Sequence, residues 1–489
     1  MGDAILVIDE GTTSTRAMLF APDGTCLGSA ARNLAQHHPR SGRVEHDAAE
    51  IWEKSLACAR AMVEQAGGAD RVKAIGLTNQ RETILFWSRR TGEPLAPAIV
   101  WQDRRTADLC ARLRAEGHEP ALQERTGLLL DPYFSASKIA WAMAEWPRLK
   151  EAGDDLAIGT VESWLVWKLT GGLHVSDATN AARTALMDIR TGMWDAGLIE
   201  LFDAPPRALP EIVDCAGAIG TSDPEHFGRA IPICGMAGDQ QAAAIGQACL
   251  RPGETKATYG TGAFVLTHTG EHPQLSKHRL LTTIAWRLGG SQAYALEGSV
   301  FVAGSLIEWL RDDLGLISGS AETAAIAASL PDSGGVYVVP AHCGLGAPHW
   351  RPNARGAISG LSFGAGREHI VRAALEAMAH QTHDLMTAFA GDGAAWARLR
   401  IDGGMAANDW LAQDLADMLD LPVERPAFVE TTALGVAMLA GVGSGIFASL
   451  EEAVAMRGAT ARFEPKMEAG ARAARLEGWR GAVAAVLGE

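Results

Sequence analysis

Asp9-Glu10-Gly11-Thr12-Thr13-Ser14-Thr15-Arg16 brings a carboxylate pair, a glycine, four hydroxyls and a guanidinium into eight residues. Those types suit phosphate. Glycine lets the backbone turn tightly and approach a ligand. Its flanking N–H groups, with the hydroxyls of Thr12, Thr13 and Ser14, can ring phosphate oxygens. Asp9 ends an apolar run and can hold hydrated Mg²⁺, and Arg16 adds a charge-assisted phosphate contact. Thr258-Tyr259-Gly260-Thr261-Gly262 is a second turn of this kind, and Asp402-Gly403-Gly404 a third. None of the eight lysines follows a glycine, so there is no Walker A loop and any nucleotide is held another way.

The flanking patterns say what must position these turns. Ala4–Asp9 and Ala17–Phe20 read as strands, so the first turn is a hairpin rather than the strand–turn–helix of a P-loop. Strands are expected at 72–78, 85–87 and 98–101, and helices at 48–66, 103–116 and 135–151. Glu254–Tyr259 and Ala263–Thr267 repeat the hairpin about half a chain later. Helices at 299–313 and 366–390, a strand at 398–401 and a helix at 407–420 follow. The expectation is an α/β chain of two related domains, 1–246 and 247–489.

The 489 residues carry 43 basic and 58 acidic side chains, a net charge of −15. With no basic cluster, nucleic acid is not an expected partner. Seven scattered cysteines, never in a C-x-x-C pair, fit reduced thiols and a cytoplasmic location. The N-terminal stretch has no basic region of the kind a signal peptide carries. Thr431–Leu450 carries no charge for 20 residues. Gly441, Gly443 and Gly445 break that run, so it reads as a buried core helix ending at Ala440, with no membrane insertion.

The three turns stand in order with Asn79-Gln80-Arg81-Glu82-Thr83, Trp101-Gln102-Asp103-Arg104-Arg105, Asp131-Pro132-Tyr133-Phe134-Ser135, Gly238-Asp239-Gln240-Gln241, Gly344-Leu345-Gly346-Ala347-Pro348 and Thr432-Ala433-Leu434-Gly435. As a set they resemble the FGGY carbohydrate kinases, within the actin/hexokinase-type ATPases, and most closely the branch acting on glycerol. The resemblance implies two actin-like (ribonuclease H-like) domains with a cleft between them. It implies phosphorylation of glycerol by ATP with Mg²⁺, in a homodimer or homotetramer. By resemblance Arg81, Glu82, Tyr133, Asp239 and Gln240 grip the hydroxyls, Trp101 and Phe264 wall the carbon face, and Asp239 is the general base. Thr12, Thr13, Ser14, Arg16 and Thr261 would touch phosphates. Gly304, Glu308, Gly404 and Asn408 would surround the nucleoside, and Asp9 and Asp239 would serve the metal. Two other readings stay open: a sibling kinase of xylulose, ribulose or erythritol, and an actin-like ATPase with no acceptor.

Two residues depart from the family's usual pattern. Glu10 and Glu308 stand where glutamine is common. Glu10 is therefore expected to point away from the phosphates or to be paired. Arg104 and Arg105 would either steer ATP or pair with nearby acids. His380 and His383, at i and i+3 without a third ligand, read as surface or cap residues rather than a metal pair. Trp52, Trp141, Trp164, Trp167, Trp309 and Trp410 read as core.

Overall fold

The computed structural model describes residues 4–351 and 353–488, so the first three residues of the opening stretch lie outside it. Strands β1 (Ala4–Glu10), β2 (Ser14–Phe20), β3 (Cys26–Asn33), β4 (Val72–Asn79), β5 (Ala216–Thr221) and β6 (Pro232–Gly238) form one sheet, in the order β5-β6-β4-β1-β2-β3. A second sheet holds β7 (Thr255–Tyr259), β8 (Ala263–Gly270), β9 (Leu281–Leu288), β10 (Ser291–Val300), β11 (Leu399–Asp402), β12 (Val423–Pro426) and β13 (Thr460–Phe463). Its order is β9-β10-β8-β7-β11-β12-β13.

The two sheets share one topology. β1 pairs antiparallel with β2 and parallel with β4, as β7 does with β8 and β11. β4 then pairs parallel with β6, as β11 does with β12. Antiparallel strands close both ends, β5 and β3 in the first sheet and β13 and β10 in the second, with β9 added beyond β10. The repeat expected from the two hairpins is thus a repeat of whole sheets.

Helix α1 (Ala48–Ala66) starts where the Asp47 side chain accepts from Ala49 N, and ends at Gly67 with φ 92°. Two further helices, α2 (Asp239–Gly246) and α3 (Arg367–Gly391), precede α4 (Asp409–Leu419), α5 (Thr431–Gly443) and α6 (Ala469–Leu487). Helix α5 crosses to the other sheet, and α2 packs on both, with Ala242 and Ile245 in the core of the first. α2 follows β6, yet Ala244 packs with Leu266, Ala285, Ala293 and Ala295 of the second sheet. α5 follows β12, yet Ala433 to Ala440 pack with Ile5, Val7, Phe20, Ala74 and Cys234 of the first.

The two helices pack closely because both carry glycine where they cross. A Cβ on Gly435 would lie 1.8 Å from Ala242 O, and one on Gly246 would lie 2.1 Å from Thr431 O. Gly435→Ala is therefore expected to cost about 1–3 kcal/mol through overpacking against backbone. Gly481→Ala, on α6 where a Cβ meets nothing within 4 Å, is expected to be neutral or mildly stabilising. Melting temperatures of the two variants check this; equal values would refute it.

Several sequence expectations are corrected. The helix expected at 103–116 starts only at Ala107, because the Asp103 carboxylate accepts from Val44 N and from Arg105, holding the preceding turn. The helix expected at 135–151 breaks into Ser135–Glu145 and Pro147–Ala152, since a residue before proline is disfavoured in the helical region. The helix expected at 299–313 starts at Gly304, because Ser299 and Val300 stay in β10 paired with Phe264 and Ala263. The strand expected at 98–101 is only Ala98–Ile99, leaving Trp101 in a turn.

α5 continues to Gly443, three residues past Ala440, since neighbours bury it on all sides. His380 is not a surface residue: it is buried and stacked on Trp479 of α6 at 5.1 Å. Trp164 is fully buried, whereas Trp52, Trp167, Trp309 and Trp410 are partly buried against the cores. Among the described residues no helix is long and apolar enough to cross a membrane.

Candidate active site

The turn between β1 and β2 closes through Gly11 N to Ser14 O at 2.9 Å, which leaves Thr12, Thr13 and Ser14 at its open edge. Asp9 and Arg16 are directly paired across the ladder. The Arg16 guanidinium lies 3.7 Å from Asp9 and 2.7 Å from Glu430, which precedes α5. Burial pushes the Asp9 carboxyl up to about 6, with Arg16 opposing and the charges of Glu430 and Asp239 adding to the rise. A buried acid at a phosphate-type turn fits a cation, and one or two carboxylates with retained water is the donor set Mg²⁺ accepts. Among the described residues there is no cluster of three or more metal-binding side chains, so such an ion would be held mainly by phosphate and water.

Arg81 and Glu82 leave β4 in a tight turn. Glu82 has φ 60°, a strained value for a non-glycine residue. Thr83 N to Arg81 O and Ser135 Oγ to Glu82 O hold it there. Arg81, 2% exposed, donates to both carboxylate oxygens of Glu297 (2.6 and 3.1 Å), to Tyr133 Oη (3.3 Å) and to Gln241 Oε1 (3.2 Å). Its Nε lies 3.3 Å from Asp239 Oδ1.

Asp239 is the first residue of α2, with its side chain 34% exposed. Gln240 donates to Asp239 from its backbone N (2.7 Å) and from Nε2 (3.2 Å). Trp101 packs edge-on to Tyr133 at 5.6 Å and to Phe264 at 6.2 Å. Its indole N–H donates to Thr12 Oγ1 at 2.9 Å, tying this aromatic wall to the phosphate-type turn. The structure thus brings Arg81, Glu82, Trp101, Tyr133, Asp239, Gln240 and Phe264 together beside the first hairpin.

The second group assembles separately, on the other sheet. Gly304 N donates to Gly260 O at 2.9 Å, and Ala303 N to Thr261 O at 2.8 Å. Gly403, φ 85°, packs on the Tyr259 backbone, and a Cβ on Gly404 would meet nothing within 4 Å, so bare backbone faces open space. Asn408 caps α4 through Oδ1 to Leu411 N, while its Nδ2 donates to Thr323. Glu308 is exposed on the helix Gly304–Asp312. Arg104 and Arg105 pair with acids, Asp131 for the first and Asp103 and Glu45 for the second.

Residues 4–246 match the N-terminal domain, and residues 255–444 the C-terminal domain, of the FGGY family of carbohydrate kinases. The chain belongs to that family. It is 53% identical to a protein named glycerol kinase from Methylobacterium nodulans, over 99% of this chain and 98% of that one. The same identity relates it to a glycerol kinase from Rhodospirillum centenum, over 98% and 97%. Among solved structures it resembles a Plasmodium falciparum glycerol kinase with ADP, at TM-score 0.92 and 36% identity, covering 99% and 98% of the two chains. A xylulose kinase from Rhodospirillum rubrum matches at TM-score 0.85 and 26% identity, covering 99% of each.

In this FGGY kinase Glu10 is paired, but with a hydroxyl rather than a cation. It is fully buried and accepts from Ser55 Oγ at 2.7 Å, and Ser55 also bonds Thr15. Burial raises its carboxyl from 4.5 to about 8, opposed by the Ser55 and Thr15 hydroxyls and reinforced by the charges of Asp9 and Glu50. At neutral pH it is therefore a neutral acid. The folded state holds a proton that the unfolded chain releases above pH 4.5, so stability falls as pH rises from 4.5 through about 8. Glu10→Gln is expected to raise the melting temperature more at pH 8 than at pH 5. An equal gain at both would refute the neutral-acid assignment.

Nothing in the local pattern flagged Glu297, Arg183 or Lys256. Glu297, on β10, accepts from Arg183 at 2.9 Å as well as from Arg81, and Arg183 also donates to Glu82 at 2.6 Å. Two arginines and two glutamates thus make a closed, charge-balanced ring across both halves. Burial alone would raise the Glu297 carboxyl, but Arg183 and Arg81 outweigh it and hold it at about 2. Lys256, on β7, is fully buried, which lowers its ammonium's hold on a proton.

Proposed function

We propose that this chain transfers the γ-phosphoryl group of ATP to glycerol, giving glycerol 3-phosphate and ADP. The observation that carries the reading is a partly exposed carboxylate linked through Arg81 to an aromatic wall. Arg81 lies 3.3 Å from Asp239 and donates to Tyr133 of the Trp101–Tyr133–Phe264 cluster, an arrangement that suits a small triol needing hydroxyl partners on one side and carbon contact on the other. The two relatives at 53% identity carry the name of this activity.

Arg81, Glu82, Tyr133 and Gln240 bind and orient the acceptor. Asp239 accepts the proton of the attacking hydroxyl as its oxygen bonds the γ-phosphorus and the bond to the bridging oxygen of ADP breaks. Thr12, Thr13, Ser14, Arg16 and Thr261 receive the phosphates, and Gly304, Glu308, Gly404 and Asn408 border the nucleoside. Asp9 and Asp239 would hold the water shell of Mg²⁺, which when bound neutralises phosphate charge. Apart from Phe264, the acceptor side and part of the phosphate site fall to residues 1–246, and the nucleotide side to 247–489. The seven free cysteines fit a reducing compartment, and we place the enzyme in the cytoplasm as a homodimer or homotetramer.

A coupled ADP-release assay with MgATP tests the reading across glycerol, dihydroxyacetone, erythritol, xylulose, ribulose and no acceptor. Glycerol is expected to lead by kcat/KM. A lead for xylulose or ribulose would replace the substrate and keep the chemistry, and acceptor-independent ATP turnover would overturn both.

A further inference from the structure

Lys256 is a buried cation that the reaction as described does not use. Its Nζ donates to Gln240 Oε1 and, at 2.8 Å, to Thr258 Oγ1. It interacts with the charges of Asp402 and Asp239 at longer range, and among the described residues it forms no ion pair with a carboxylate. A fully buried ammonium satisfied by two neutral oxygens is an expensive arrangement to keep for packing alone.

We propose that Lys256 is a positioning residue that sets the side-chain amide of Gln240 and, through it, the carboxylate of Asp239. A glutamine amide has a donor end and an acceptor end of nearly equal shape, so shape alone does not orient it. An ammonium only donates, so it admits only the oxygen end. With Oε1 turned to Lys256, Nε2 is turned to Asp239 and donates to Oδ2 at 3.2 Å.

The backbone N of Gln240 holds Oδ1 at 2.7 Å, and Arg81 Nε lies 3.3 Å from the same oxygen. The carboxylate is thus fixed on both oxygens before an acceptor arrives. The reversed amide would set an oxygen against Oδ2, acceptor facing acceptor, and turn the base away. Lys256 belongs to the second sheet and Asp239 follows the first, so the second sheet aims the base.

This inference rests on the kinase reading of the same site, so its test needs one readout with turnover and one without. The proteins are the full-length wild type, Lys256→Met, Lys256→Arg, Gln240→Ala and the Lys256→Met/Gln240→Ala double variant, each checked by melting temperature. Lys256→Met is expected to lower kcat for glycerol about 10–100-fold, as small misplacements of a reacting group do. Lys256→Arg, still donor-only, is expected to restore most of it. In the Gln240→Ala background Lys256→Met is expected to cost little more, because both act on one contact.

The second readout is the side-chain amide signal of Gln240 in the ligand-free enzyme, assigned by its absence in Gln240→Ala. It is expected to be protected from solvent exchange in wild type and Lys256→Arg, and to lose that protection in Lys256→Met. Additive kinetic losses, or an amide signal indifferent to Lys256, would overturn the inference. If no protein phosphorylates glycerol, the substrate reading fails while the amide signal still decides the role of Lys256.

Discussion

Asp239→Asn is expected to lower kcat for glycerol about 10²–10⁴-fold, the range a positioned general base supplies. The substitution keeps shape and keeps a side chain able to accept from Gln240 N, so the start of α2 and the Arg81 contact should survive. What it removes is the carboxylate that, in the proposed mechanism, takes the hydroxyl proton. Because the proposed site binds the acceptor also through Arg81, Glu82, Tyr133 and the Trp101–Phe264 wall, KM should change far less than kcat. The coupled ADP-release assay reads both constants. A variant that retains wild-type kcat would remove Asp239 from the chemistry, and a large rise in KM at constant kcat would make it a binding residue.

Glu297→Ala is expected to cost about 3–5 kcal/mol, the usual result of deleting one partner from a buried ionic network. Arg81 and Arg183 would remain, 2% and 0% exposed, with only Glu82 and the partly exposed Asp239, 3.3 Å from Arg81 Nε, to offset their charge. For a chain of this size the loss should appear as a fall in melting temperature of roughly 3–5 °C. Glu297→Gln keeps a hydrogen-bond acceptor and should cost less.

The carboxyl of Glu297 is held at about 2, below its ordinary 4.5. Its stabilisation is therefore complete above pH 4.5 and lost as pH falls toward 2. Glycerol KM should rise in both variants, since Arg81 loses its bidentate partner. A Glu297→Ala protein with unchanged melting temperature and KM would show the ring to be dispensable.

How far such features could be read beforehand depends on how local they are. The β1–β2 hairpin was legible because its signal lies within adjacent residues: two apolar runs and a glycine–hydroxyl turn. The same holds for α1, whose start and stop residues flank it in sequence. The split at Trp146-Pro147 was also written locally and could have been read from the proline. The start of the helix at Gly304 could not, because Ser299 and Val300 are extended only by virtue of pairing with Phe264 and Ala263. His380 looked like a surface residue because the ring that covers it, Trp479, belongs to the last helix.

The sequence by itself determined the list of chemical groups, the two related halves and the family, since those are carried by short motifs with local spacing. Only the tertiary structure decided how the groups act on one another. Glu297 meets Arg81 across 216 positions, Lys256 reaches Gln240 from the second sheet, and α5 crosses to the first sheet, meeting α2 where two glycines let backbones touch. Charge state followed the same division. Glu10 reads in sequence as one more negative charge beside phosphate, but burial against Ser55 makes it a neutral acid. Residue type sets what a group can do, whereas burial and long-range partners set its charge and aim, and those exist only once the chain has folded.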